Sequence, residues 1–159
     1  KPRMATVLTA LTVFVLDQFS KCWIRAAIPE AETVVVFQGF FNITHVRNRG
    51  GAFGIFPHQQ YLFVFLSLVT IAAIAYFYWG YAPKKIGCKI AVGLVLGGAV
   101  GNLMDRMLLD KGGCVTDWLD VYWGSWHWPA FNVADAAISV GVLMLLYILT
   151  VRAEAGSKV

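Results

Sequence analysis

Four long apolar stretches constrain the fold of this chain more than any other feature. They cover residues 5–24, 61–79, 86–104 and 134–151, and the second contains no charged residue. Each approaches the ~20 residues that an α-helix needs to cross a hydrocarbon core about 30 Å thick. With 58% hydrophobic and only 14% charged residues, the chain departs from the composition of soluble domains. The sequence therefore predicts a mainly α polytopic membrane protein, with four transmembrane helices in a single domain over residues 1–159.

The connections between the spans predict the orientation. An even number of spans puts both termini on the same side as the short second connection, which carries Lys84 and Lys85. Because cytoplasmic loops are enriched in Lys and Arg, we expect cytoplasmic termini and outer loops at residues 29–60 and 105–133. The first span follows a short basic segment, as a secretory signal would, but three further spans follow and we expect it to be retained.

The two outer loops differ in composition. Residues 33–46 are rich in β-branched and aromatic types, and the turn-forming sequence NRGG follows at 48–51, which predicts a small sheet or hairpin. The second loop holds four of the six tryptophans, a pattern typical of side chains anchored among lipid headgroups. These are Trp118, Trp123, Trp126 and Trp128.

Three of the spans carry a carboxylate within them or directly at their end, and ionisable groups inside a bilayer are costly and usually functional. At 1.5 Å per residue, Asp17, Asp105 and Asp135 lie about 18, 22 and 24 Å from the cytoplasmic ends of their helices. They therefore share one layer in the outer third of the membrane. Lys21 lies at i+4 from Asp17 and can pair with it. Gly93, Gly97 and Gly101 form a small-xxx-small series that predicts close helix packing beside this layer.

Structural interpretations compete for each polar residue taken alone. Asn132 or Asp135 can cap the fourth helix, and Asp105 can form a structural ion pair with Arg106. Two further acids, Asp110 and Asp120, are expected to be solvated. Polar groups converging from three helices exceed what capping requires, so the sequence predicts a functional site.

The motifs limit the chemistry of that site. The chain has no HExxH, GxSxG or P-loop sequence, and its isolated histidines (His45, His58 and His127) and three cysteines lack metal-ligand spacing. The sequence has no stripe of basic residues with interleaved aromatic residues, so nothing in it indicates nucleic-acid binding. We therefore expect no metal, cofactor or nucleic acid. Two close carboxylates share a proton, so that one serves as base and the other as acid; spacing alone does not identify the two.

Five motifs in order along the chain carry a resemblance to a known family. They are DQFSK at 17–21, NRGGAFG at 48–54, GNLMDR at 101–106, VTDW at 115–118 and FNVAD at 131–135. With these motifs the chain resembles the lipoprotein signal peptidases, also called signal peptidase II. Two positions depart from the family pattern, Thr116 for an aliphatic residue and Trp118 for a frequent Phe. We expect neither to touch an acidic group.

The resemblance implies an intramembrane aspartic endopeptidase of the bacterial inner membrane that needs no cofactor. Such an enzyme removes the signal peptide of a prolipoprotein just before a cysteine carrying a diacylglyceryl group. The implied fold adds a small extracytoplasmic β cradle and a short surface helix or loop to the four spans. The implied catalytic pair matches Asp117 and Asp135. The matching supporting or substrate-contacting positions are Asp17, Lys21, Asn48, Gly50, Asn102, Asp105, Arg106 and Asn132.

The implied mechanism uses one carboxyl of the pair as base for a water molecule and the other as proton donor to the scissile carbonyl. We expect Asn132 and Arg106 to orient the carboxylates or bind the peptide backbone, and residues 33–56 with the tryptophan loop to close over the substrate. The expected partners are the lipid-modified substrate and the bilayer, and the expected state is a monomer.

Two other classes of protein remain open. A four-helix transporter also uses intramembrane carboxylates, but its key acid belongs near the midplane with access from both sides, whereas these acids lie towards one face. A structural subunit of an assembly would have no activity to lose when Asp117 and Asp135 are changed.

Overall fold

The computed structural model describes residues 3–50, 59–80, 85–110 and 112–156, with the backbone alone at 77, 79 and 151–156. Within these residues four long helices form, at Met4–Ala27 (α1), Gln60–Gly80 (α2), Ile86–Met104 (α3) and Val133–Gly156 (α4). Three helical segments of the described chain are long and apolar enough to cross a membrane: Met4–Ala27, Ile86–Leu109 and Val133–Thr150. Helix α2 has 21 residues and no charge. The predicted mainly α membrane architecture is therefore confirmed.

Helix α3 is the centre of the bundle, with α1, α2 and α4 packed on it. Its glycines allow this close approach. A Cβ atom on Gly97 would lie 2.5 Å from the carbonyl oxygen of Ala10 in α1, and one on Gly98 would lie 2.5 Å from that of Ala134 in α4. Glycine is therefore required where the backbones meet, as the small-xxx-small series predicts.

The segments between α1 and α2 and between α3 and α4 form a small antiparallel sheet. In the described chain it contains Thr33–Phe37 (β1), Phe41–Asn48 (β2), Val115–Trp123 (β3) and Trp126–His127 (β4), in the order β1-β2-β3-β4. The predicted hairpin is β1–β2. Beyond it, Gly50 donates its N–H to the side chain of Asn48 over 2.8 Å, which is the turn chemistry expected of Asn; residues 51–58 lie outside the described part.

The sequence predicts only a tryptophan layer for the second outer loop, whereas this loop supplies β3 and β4. The headgroup position of this layer stays a prediction, and Trp123 and Trp126 are exposed. Strand β3 also buries Asp120, which accepts hydrogen bonds from Asn42 and from His127, each over 2.8 Å. The expectation that Asp120 is solvated is therefore wrong, because pairing with β2 brings polar partners from distant sequence.

Helix α3 ends in a π-helical turn at Asp105–Leu109, closed by a hydrogen bond of 3.0 Å from the N–H of Asp110 to the carbonyl of Asp105. Asp110 then accepts two hydrogen bonds from Arg47 of β2, over 2.9 and 2.7 Å. Although burial raises the pKa of Asp110, these bonds hold it below its ordinary value. The expectation that Asp110 is merely solvated is also wrong, since it ties the end of α3 to the sheet.

Candidate active site

The start of α4 brings Asn132 and Asp135 together in a reciprocal cap. The Asn132 side-chain oxygen accepts the N–H of Asp135 over 2.9 Å, and the Asp135 carboxylate accepts the N–H of Asn132 over 3.2 Å. This is the capping-box arrangement. Asn132 is fully buried, and its side-chain NH₂ group also donates to Asp117 over 2.6 Å. The capping interpretation is therefore confirmed, and the same cap contacts Asp117.

Asp117 lies in β3 and is almost completely buried. Its second carboxylate oxygen accepts a hydrogen bond of 2.8 Å from Asn48 at the end of β2, so each oxygen has an amide donor. Burial, followed by the negative charge of Asp135, raises the pKa of Asp117 to about 7, although the hydrogen bonds from Asn48 and Asn132 oppose this. Asp117 therefore holds its proton close to neutral pH.

Lys21 of α1 is the centre of a buried charge cluster. Its ammonium contacts Asp17 at 2.8 Å, Asp105 at 3.0 Å and the side-chain oxygen of Asn102 at 2.8 Å. These contacts match the three N–H donors of a lysine, and all four side chains are buried. The predicted pairing of Lys21 with Asp17 is confirmed, and a second carboxylate of the predicted layer, Asp105, contacts the same cation.

The charge cluster is joined directly to the start of α4. Asn102 accepts from Lys21 and donates to Asp135 over 2.8 Å. The other oxygen of Asp17 accepts the backbone N–H of Ala134 over 3.0 Å. Asp17 therefore supplements the cap of α4 from a different helix, and the Asp135 carboxylate is held from both sides.

Arg106 faces away from the cluster. It donates to the carbonyl oxygen of Gly50 over 2.9 Å and lies 5.3 Å from the ring centroid of Phe63. The alternative of a structural ion pair between Asp105 and Arg106 is not realised, because Asp105 pairs instead with Lys21 and with Arg25, the latter at 3.4 Å. Adjacent residues of a helix point in different directions, so Asp105 turns towards α1 and Arg106 towards α2.

Sequence reasoning missed three polar residues around this cluster. Gln18 donates to Asp17 over 3.0 Å and to the carbonyl of Gly101 over 3.1 Å. Arg25 donates to the Thr116 hydroxyl over 3.1 Å, and the Thr116 N–H donates to Asp105 over 3.4 Å.

The expectation that Thr116 touches no acidic group is therefore wrong. Arg25 follows Lys21 by four residues on the same face of α1, a spacing that could have identified it. The Thr116 contact had no local signal.

A cavity of about 530 Å³ lies between α2, α3, α4 and β3. Six of the predicted site residues line it, and much of the remaining wall is apolar, including Phe63 and Leu66 of α2. The six are Asn48, Gly50, Asn102, Arg106, Asp117 and Asp135. The other four, Asp17, Lys21, Asp105 and Asn132, lie behind this wall. Lys21 and Asn132 donate hydrogen bonds to wall residues, and Asp17 and Asp105 contact Lys21.

None of the described histidines and cysteines lines this cavity. His45 bonds to the carbonyl of Ile28 over 2.7 Å, and His58 lies outside the described residues. Among the described residues no group of three or more His, Cys, Asp or Glu is arranged to hold a metal ion. The three cysteines are free, with Cys88 and Cys114 buried and Cys22 exposed.

Comparison with known proteins agrees with this arrangement of helices and motifs. The family model for signal peptidase (SPase) II matches residues 9–151. The lipoprotein signal peptidase of Syntrophotalea carbinolica is 45% identical over 143 residues, covering 88% of this chain and 87% of the relative. That of Syntrophus aciditrophicus is 42% identical over 151 residues, covering 92% of each chain.

A solved structure shows the same fold. It is a bacterial membrane enzyme determined by the in meso method at 2.3 Å resolution, and it superposes with a TM-score of 0.82 at 30% identity, covering 91% of this chain and 87% of that chain. The fold, the five motifs and the matched length together show that the chain belongs to the signal peptidase II family.

Proposed function

We propose that this chain is an intramembrane aspartic endopeptidase that removes signal peptides from diacylglyceryl-modified bacterial prolipoproteins, cleaving just before the lipidated cysteine. Membership of the signal peptidase II family supports the peptidase activity. One observation carries the aspartic mechanism: Asp117 and Asp135 line the same cavity and share Asn132 as a hydrogen-bonding neighbour. Two carboxyl groups held in this way can share one proton.

The raised pKa of Asp117 supports an assignment of roles. Asp117 begins protonated and donates to the scissile carbonyl oxygen, while the Asp135 carboxylate takes a proton from the water that attacks the carbonyl carbon. When the C–N bond breaks, the leaving amine takes the proton from Asp135, and the hydroxyl of the tetrahedral intermediate returns a proton to Asp117. The products are a carboxylic acid and an amine, and the pair regains its single proton.

The supporting residues act on the pair or on the substrate. Asn48 and Asn132 orient Asp117, and Asn102 orients Asp135. Arg106 and Gly50 lie at the cavity wall; the Arg106 Nε is buried without a hydrogen-bond partner in the described part of the chain. This donor is suited to a backbone carbonyl of the substrate.

The buried charged residues behind the cavity wall do not line the cavity and act on the catalytic pair through neighbouring residues. Lys21, Asp17 and Asp105 fix the positions of Asn102 and the start of α4.

We also propose that the enzyme works as a monomer in the bacterial inner membrane, with cytoplasmic termini and an extracytoplasmic active site. The apolar cavity wall suits an apolar signal segment that is already in the bilayer, and the outer position of the carboxylates suits a substrate whose acyl chains lie in the outer leaflet. The proposed lid of residues 33–56 and the tryptophan loop predicts that a crosslinker at Trp123 labels bound substrate. Phe53, a second position for such a crosslinker, lies outside the described residues.

A gel-shift assay on the purified protein in detergent tests the proposal. The substrates are a diacylglyceryl-modified prolipoprotein and its unmodified counterpart, and the variants are Asp117→Asn and Asp135→Asn. Asp120→Asn is the matched control, because Asp120 is a buried carboxylate of the same strand that does not line the cavity. We expect cleavage of the lipidated substrate alone, lost in the first two variants and kept in the control.

Other outcomes would redirect the assignment. Cleavage that survives in Asp117→Asn or Asp135→Asn would move the chemistry to another acid, with Asp105 the first to test. No cleavage by the unmutated protein would contradict the proposal. A gradient-driven flux in liposomes that Asp17→Asn abolishes would then favour a transporter.

A further inference from the structure

Strand β3 is held from behind at the residue that precedes Asp117. Successive side chains of a strand point to opposite faces, and here Val115 and Asp117 line the cavity whereas Thr116 does not. Thr116 is buried and contacts α1 and the end of α3 instead. Its hydroxyl accepts a hydrogen bond of 3.1 Å from Arg25, and its N–H donates to Asp105 over 3.4 Å.

These contacts connect Thr116 to the buried charge cluster around Lys21. Arg25 also donates to Asp105 over 3.4 Å, so Thr116, Arg25 and Asp105 form a closed triangle. Asp105 is in turn paired with Lys21 at 3.0 Å. The position of Thr116 is therefore fixed by contacts with α1 and the end of α3 as well as by the pairing of β3 in the sheet.

The pairing of β3 with β2 is irregular beside Asp117, so the sheet alone does not hold this residue as firmly as a regular ladder would. Ile43 faces Leu119 and Val46 faces Asp117, so β2 carries an extra residue in this interval and the register shifts there. The N–H of His45, within the interval, bonds to Glu32. A bulge of this kind interrupts the ladder and bends the strand locally. Along β3, Asp117 therefore lies between the bulged interval and Thr116.

We propose that Thr116 and Arg25 are positioning residues for Asp117, through a back-of-strand clamp made of Thr116, Arg25 and Asp105. The inference rests on the proposed aspartic mechanism and deepens it. The clamp touches neither substrate nor the reacting atoms; it fixes where the Asp117 carboxyl lies relative to Asp135. Displacement of a reacting group by about 1 Å can reduce a rate by roughly 100-fold, so loss of the clamp affects turnover more than substrate binding.

The test compares steady-state cleavage of the lipidated prolipoprotein by Thr116→Val, Thr116→Ser and the unmutated enzyme. Valine keeps the shape and removes the acceptor of Arg25, whereas serine keeps the hydroxyl. We expect Thr116→Val to lower kcat at least roughly tenfold with KM within about twofold, and Thr116→Ser to retain kcat within about threefold. Arg25→Met should reproduce the loss, and the double variant should be no worse than the weaker single variant.

A matched control separates positioning from general destabilisation. Thr6→Val removes another buried threonine hydroxyl, one that donates to the Lys89 carbonyl over 3.1 Å and accepts from Tyr78 over 2.7 Å. Thr6 lies near the other end of α1, so this change should lower the melting temperature in detergent while kcat stays within about twofold.

Each alternative outcome overturns the inference. Full kcat in Thr116→Val, an equal loss in Thr116→Ser, a loss confined to KM, or an equal loss in Thr6→Val would show that the clamp does not position Asp117. Asp117→Asn distinguishes the two levels of the argument. If the unmutated enzyme cleaves, Asp117→Asn does not and Thr116→Val is fully active, the clamp fails while the proposed function stands; no cleavage by the unmutated protein defeats both.

Discussion

The proton on Asp117 should make cleavage fall as the pH rises through about 7. Asp117 is 2% exposed, and burial together with the charge of Asp135 raises its pKa from 3.8 to about 7. That difference corresponds to roughly 4 kcal/mol in favour of the protonated carboxyl. Because the raised pKa belongs to an acid, the proton is kept below pH 7 and lost above it. If Asp117 is the proton donor, the active form is lost with it.

The size of the effect follows from the titration. Between pH 6 and pH 8.5 the protonated fraction of a group with a pKa near 7 falls from about 90% to about 3%, so kcat/KM should fall about 30-fold. The assay measures initial rates at substrate concentrations far below KM, because kcat/KM reports the free enzyme. A kcat/KM value that is constant or rises over this interval would refute the assignment of Asp117 as donor.

An infrared titration provides a check that does not depend on activity. The carboxylic acid C=O band of Asp117 should disappear with a midpoint near pH 7 and be missing from Asp117→Asn. In Asp135→Asn the midpoint should move down, because the repulsion that raises the pKa is removed. An unchanged midpoint would show that the two carboxyl groups do not interact.

Two further predictions concern packing and the cap of α4. Gly97→Ala should destabilise the protein by about 1–3 kcal/mol in detergent unfolding, because its Cβ meets the Ala10 backbone. A Cβ on Gly80 meets no described atom within 4 Å, so Gly80→Ala should change stability by less than about 0.5 kcal/mol. Equal effects would contradict the packing argument. Asn132→Ala should lose about 1 kcal/mol of cap stability and roughly 100-fold in kcat, while Asn132→Asp keeps the cap but not the donor to Asp117, and recovery of kcat in it would show that this donor is dispensable.

The helices and part of the charge cluster could be predicted because their signals are local. Each span is a long and mainly apolar run, and the predicted third span coincides with α3. The Asp17–Lys21 pair follows from helical spacing alone. The glycine series likewise shows where a helix can approach α3, although it does not say which helix.

What the sequence did not predict depends on distant partners. Strand β3 pairs with β2, about 70 residues earlier, and only that pairing buries Asp120 and turns Thr116 towards Arg25. Asp105 has Arg106 as its neighbour in sequence, yet it pairs with Lys21 and Arg25 of α1. Asp117 could be identified only from the resemblance, because its spacing to Asp135 carries no periodic signal.

Lys21 provides the sharpest test of the buried cluster, because a buried ion pair is weak grounds for stability whereas breaking one is costly. Lys21→Met removes the cation from Asp17 and Asp105, which are 0% and 1% exposed, and should cost about 3–5 kcal/mol in detergent unfolding. Asp105 keeps Arg25, whereas among the described residues Asp17 keeps only neutral donors such as Gln18. Adding Asp17→Asn should therefore restore part of the loss. If the double variant is no more stable than Lys21→Met, the uncompensated charge of Asp17 is not the cause.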